Sequence, residues 1–197
     1  VGSEMCIRDR SEGTATDGFG AEDTLSNIEN IKGTDEADKL TGSDTANVIA
    51  GNAGDDVIAG LDGADTIDGG EGADQIDGGA GADQIDGGSG DDSILGGEGD
   101  DSILGDSGDD YIVGGIGSDA IDGGSGIDEI DYSTDAAAGG DSGVTVDLSE
   151  GTATDGFGDS DTLSNIENIK GTDEADQLTG SAADNIIPVS YTHLTLP

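Results

Sequence analysis

Positive charge is almost missing from this chain. Five Lys and Arg residues stand against 46 Asp and Glu, a formal net charge of -41 over 197 residues. Nucleic acid is thereby disfavoured as a partner, because its phosphates would meet a field of the same sign. Large apolar side chains are scarce too, with no Trp, two Phe and three Tyr. A chain so acidic and so poor in such groups cannot by itself bury enough surface to offset its conformational entropy. Cysteine occurs once, at Cys6, so no disulfide framework can supply the missing stability. No apolar run approaches the roughly 20 residues of a membrane-spanning helix. Histidine also occurs once, at His193, outside the patterned part of the chain. The strings GDSG at 105–108 and 140–143 resemble the nucleophile segment of some serine proteases, but without a histidine base they carry no catalysis. No catalytic constellation is expected.

What is abundant is glycine, 38 residues of it, and it is periodic. Nine consecutive nonapeptides run without a gap from Gly51 to Asp131, each close to Gly-Gly-x-Gly-x-Asp-x-Ile-x, as in GGEGADQID (69–77) and GGSGDDSIL (87–95). The fourth position is always Gly. The sixth is always Asp: Asp56, Asp65, Asp74, Asp83, Asp92, Asp101, Asp110, Asp119 and Asp128. The eighth is Ile in every copy, from Ile58 to Ile130. A single Asp in a Gly-rich turn often does no more than hydrogen-bond its own backbone. Nine in register, each two residues before an Ile, ask for a shared chemistry. Hard oxygen donors without Cys or His suit calcium rather than zinc or copper.

This strict nine-residue pattern resembles the calcium-binding repeat of the RTX (repeats-in-toxin, hemolysin-type) proteins. The resemblance implies an all-β fold, a parallel β-roll of 18-residue coils with calcium in the turns. GGxGxD would form the turn and x-Ile-x a three-residue strand with Ile pointing inward. Repeats n and n+2 would then stack about 4.8 Å apart, so that Asp residues from alternate repeats line one edge. Asp56, Asp74, Asp92, Asp110 and Asp128 fall on one edge, and Asp65, Asp83, Asp101 and Asp119 on the other. By the same resemblance a calcium ion sits between successive turns, bound by Asp carboxylates and turn carbonyls. Asp38, sixth in a degenerate repeat, joins the metal ligands. The fifth-position acids Asp55, Asp91, Asp100 and Asp109 read as solvated charge or as support behind the metal ligands, and the ninth-position acids Asp68, Asp77, Asp86, Asp122 and Asp131 as an outer face. Asn52, Leu61 and Asp106 replace the second glycine, a departure that bears on local turn shape but not on the metal site.

The chain divides further. Residues 11–33 recur almost unchanged at 149–171, and the likeness continues to about Ile187. Residues 11–32 read as a lead-in to the first unit, and 33–131 as the roll, opening with the degenerate GTDEADKLT and GSDTANVIA. Residues 132–170 read as a β cap and linker, and 171–187 as the start of a second roll. Within the linker, Val144, Val146 and Leu148 alternate with polar residues as in a half-buried strand, while Leu163, Ile166 and Ile169, spaced by three, are compatible with a short helix but favour a bent strand docked on the end of the roll. The terminal decamers VGSEMCIRDR (1–10) and PVSYTHLTLP (188–197) fall outside the duplication and resemble translated adapter sequence, so they are set aside as non-native tails. The second unit stops as its nonapeptides should begin, and the chain reads as a fragment.

The function expected is that of a calcium-binding structural segment of a large secreted or cell-surface bacterial protein. An adhesin-like extender exported by type I secretion, disordered until it meets calcium, accounts for the duplication. The rivals are an accessory module of a secreted enzyme, such as a serralysin-like metalloprotease or an alginate epimerase, and part of a pore-forming toxin. Calcium ions are the partners expected, with no nucleic acid and no membrane span.

Overall fold

A computed structural model describes residues 14–16, 22–24, 29–140 and 142–188. Both terminal decamers, apart from Pro188, and most of the 11–32 lead-in lie outside the described residues. From Asn30 onward the chain winds as a parallel solenoid. Partners in neighbouring strands come from alternate nonapeptides: Ile94 pairs with Ile76 and Ile112, and Ile85 with Ile67 and Ile103. Successive nonapeptides therefore belong in turn to two sheets, one of seven strands and one of ten. Each presents a single file of Ile side chains inward, and these two files form the core. Residues flanking each Ile point outward, as in the alternating burial of Thr66–Glu71.

The regular strands are six residues long, as in Thr66–Glu71 and Gln75–Ala80, not the three expected. The ladder runs on past the ninth position, pairing Gly97 with Gly79 and Glu98 with Ala80, so the leading glycines extend the strand. Only a short link, such as 72–74, is left to turn. There the fourth-position glycine is obligatory: Gly72 has φ +138°, and a Cβ would stand 2.6 Å from the Gly54 carbonyl carbon one coil away. At the second position Asn52, Leu61 and Asp106 hold φ +81°, +79° and +70°, in the left-handed region like Gly70 at +107°. Backbone conformation at the second position is thus preserved and the substituted residues carry the strain.

After Asp131 the chain leaves the solenoid through a helical turn, Asp135–Ala138. A hairpin of Thr145–Asp147 and Thr152–Thr154 follows, with Val144 and Val146 buried beneath it. Ser160–Ser164 then pairs antiparallel with the hairpin and parallel with Ala120–Asp122. Asn168–Lys170 pairs parallel with Glu129–Asp131. Residues 160–170 are thus one more coil of the roll, bent between two strands, with Leu163, Ile166 and Ile169 buried. Beyond it Gln177–Thr179 adds to the hairpin strand Thr145–Asp147, and Ile186 bridges to Asn168.

The two copies of the duplicated segment occupy opposite sheets. Asn30–Lys32 begins the ten-stranded sheet, whereas its equivalent Asn168–Lys170 lies in the seven-stranded one.

Candidate metal sites in the turns

Stacking of alternate nonapeptides brings the sixth-position Asp residues into two files, on the edges expected. One oxygen of each carboxylate is used by the backbone. Asp74 N–H donates to Asp92 Oδ1 at 2.8 Å, Asp92 N–H to Asp110 Oδ1 at 2.9 Å, and Asp83 N–H to Asp101 Oδ1 at 2.8 Å. The same bond recurs up both edges. The other oxygen, Oδ2, is buried and has no hydrogen-bond partner in any of the nine. Leaving a charged oxygen dry and unpaired costs several kcal/mol by rough estimate. First-position glycines open the space in front of it: a Cβ on Gly69 would lie 2.5 Å from both Asp74 Oδ2 and the Gly87 carbonyl oxygen of the next coil.

Carboxylate and carbonyl oxygens thus converge, with no nitrogen or sulfur donor among them. Such hard, all-oxygen surroundings fit calcium, which takes about six to eight oxygen ligands in flexible geometry. Among the described residues no three acidic side chains gather as a metal cluster, so main-chain carbonyls would complete each shell. Without an ion the carboxyls resist ionisation. Burial first, then the charges of Asp74 and Asp110, outweigh the N–H bond from Asp74 and push Asp92 up to about 7. Asp119 rises to about 7 through burial and the charges of Asp161, Asp101 and Asp155. Asp56, Asp101 and Asp128 are pushed up to about 6, again chiefly by burial.

Asp38 is set differently. Its Oδ2 accepts the Thr34 N–H at 2.6 Å and the Thr34 hydroxyl at 2.8 Å. Threonine at the second position adds a hydroxyl donor, and its N–H too reaches an oxygen whose counterpart in the regular repeats receives no hydrogen bond. Asn47 is treated likewise by Ser43, whose N–H donates to Asn47 Oδ1 at 2.7 Å.

One group of acids does more than carry solvated charge, and one acid departs from its expected place. The fifth-position acids are exposed, yet they bind the next coil: Asp91 Oδ1 accepts the Asp109 N–H, and Asp109 Oδ1 the Ile127 N–H, both at 2.9 Å. Asp131 is not on an outer face. The cap folds over it, and its buried carboxylate meets the Tyr111 hydroxyl, Lys170 Nζ at 2.6 Å and the Ser133 N–H at 2.7 Å. Burial alone would raise its pKa, but Lys170, Tyr111 and Ser133 outweigh it and hold the carboxyl below the usual range.

Sequence reasoning missed the last rung of each file. Asp119 N–H donates to Asp161 Oδ1 at 3.1 Å, and Asp128 N–H to Glu167 Oε2 at 3.0 Å. The signal was available: Asp161-Thr162-Leu163 and Glu167-Asn168-Ile169 repeat the acid-x-apolar spacing of the sixth and eighth positions.

A parallel roll whose stacked turns present files of buried carboxylates is a calcium-binding β-solenoid. The family model of the RTX calcium-binding nonapeptide repeat matches residues 23–58, 32–67, 59–94, 95–130 and 161–187, and the chain belongs to that family. Its repeats bind calcium. No curated protein matches the chain.

Proposed function

We propose that this chain is a calcium-triggered extender of a large secreted or surface-displayed bacterial protein, with no catalytic role of its own. One observation carries the reading: nine buried Oδ2 atoms in two files without a donor. Among the described residues the one ion pair is Lys170 with Asp131, and none of them offers these carboxylates a counter-charge. Where calcium is scarce, repulsion within a chain of net charge -41 opposes compaction. Outside the cell, calcium neutralises the files and draws the coils together. At affinities of about 0.1 to 1 mM, 10 mM calcium would add roughly 1.4 to 2.7 kcal/mol per site. The near-identical recurrence of 11–33 at 149–171 favours an extender built from tandem units, and family resemblance favours export by type I secretion.

The test is circular dichroism and small-angle scattering of the full chain in chelator, in millimolar calcium and in equal magnesium. The expected result is an expanded chain in chelator and a cooperative gain of β structure with calcium alone. A compact, β-rich state in chelator would overturn the proposal.

A further inference from the structure

The cap contains a second concentration of buried acid. Asp119, Asp135, Asp155 and Asp161 are 2%, 2%, 1% and 3% exposed. Hairpin register pairs Ala153 with Asp161, which makes Asp155 a diagonal neighbour of Asp161 on the same face. Asp119 is tied to Asp161 through its N–H, and Asp135 Oδ2 accepts the Gly156 N–H at 2.9 Å, beside Asp155. Tyr132 donates its hydroxyl to Asp161 Oδ2 at 2.9 Å.

Asp155 is held in place. Its Oδ1 accepts the N–H groups of Phe157, Gly158 and Asp159 at 3.0, 2.7 and 2.8 Å. Its Oδ2 is buried with no donor, and so is Asp119 Oδ2. Lys170 is already engaged by Asp131. Asp119 Oδ2 belongs to the file of the turns, but Asp155 Oδ2 does not, and among the described residues no cationic side chain pairs with it; a dry, unpaired carboxylate oxygen needs a positive charge from elsewhere.

We infer that the cap binds a divalent cation of its own at Asp155, next to the last rung of the turn file, Asp119 and Asp161. Asp155 lies outside every nonapeptide, in the segment DGFGDSD (155–161), so this site is additional to those of the turns. Main-chain carbonyls complete its shell, since no three acidic side chains gather as a cluster among the described residues. The choice of calcium rests on the reading of the turns given above. The cap would then fold in response to the same ion as the roll it closes.

The test uses the full chain and Asp155→Asn, which keeps an oxygen for the three N–H groups and removes the charge. Calcium stoichiometry by isothermal titration should fall by one ion, with the midpoint of the β transition unchanged. Unchanged stoichiometry overturns the inference. Asp92→Asn, measured alongside, reports on the turns: if it too loses no ion, it is the reading of the turns that fails. Terbium provides a readout that does not depend on Asp155→Asn folding. Tyr132→Phe should abolish one component of tyrosine-sensitised terbium emission that Tyr111→Phe leaves intact. Equal emission from parent and Tyr132→Phe would also overturn the site.

Discussion

Asp91 and Asp92 are neighbours in sequence with separate tasks. Asp92 is buried, receives the Asp74 N–H and turns an unpaired oxygen into the stacked turns. Asp91 is exposed and holds one N–H of the next coil. Asp92→Ala is therefore expected to weaken calcium binding and to split the cooperative transition, because stacked coils pass order only to their neighbours. Asp91→Ala should cost no more than about 0.5 to 1.5 kcal/mol, the worth of one hydrogen bond, offset in part by the loss of a repelling charge. Isothermal titration of both variants compares position with bulk charge. A second test concerns strain. Leu61 sits at φ +79° where most repeats have glycine. Leu61→Gly removes a left-handed cost of about 1 to 2 kcal/mol and adds a chain-entropy cost of about 0.5 to 1 kcal/mol. A thermal melt in calcium should show a small net stabilisation.

At the scale of strands and turns, the nine-residue period told in advance which sheet each repeat joins and which side chain points inward. Strand length was harder to read. The residues that double each strand include two glycines, which have no side chain to alternate between faces. The coil at 160–170 was hidden for another reason. A long excursion separates it from the array, so its partners lie far back in the sequence (Thr162 with Ala120, Asn168 with Glu129) and the regular two-repeat interval disappears. Asp131 was misassigned because strand alternation cannot anticipate a cap folding over the outer surface. That junction can be probed directly. Lys170→Ala would leave Asp131 buried without its cation, and as the lysine is 45% exposed the loss is expected to be on the order of 1 kcal/mol. Hydrogen exchange should quicken at the paired amides of 129–131 and 168–170 while the middle of the roll stays protected.

For the whole molecule, acid and calcium act in opposition. Asp92 and Asp119 are pushed up to about 7 in the metal-free fold, against an ordinary value of 3.8. The folded roll therefore holds protons that the unfolded chain releases. Their stabilising contribution is complete below the ordinary value and is lost as pH rises through about 6 to 7. In chelator, lowering the pH from 7.5 to 5 should raise β content. In calcium the same step should move the folding midpoint to higher calcium, since protons compete for the same oxygens. Circular dichroism titrations at the two pH values measure both effects.

The exchange of sheets between the two copies is a matter of parity. Residues 33–131 hold eleven nonapeptides, two degenerate and nine regular, and each occupies half a revolution. With the added coil at 160–170 the path from Asn30–Lys32 to Asn168–Lys170 still contains an odd number of half-turns, so the second unit begins rotated by half a circle about the roll axis. In a run of such units the sequence would repeat with every unit, but the solid object only with every second one, as a two-fold screw. Hairpins of successive units in a longer run would project alternately to opposite sides. Deleting one nonapeptide would turn everything downstream to the other side, and deleting two would restore it.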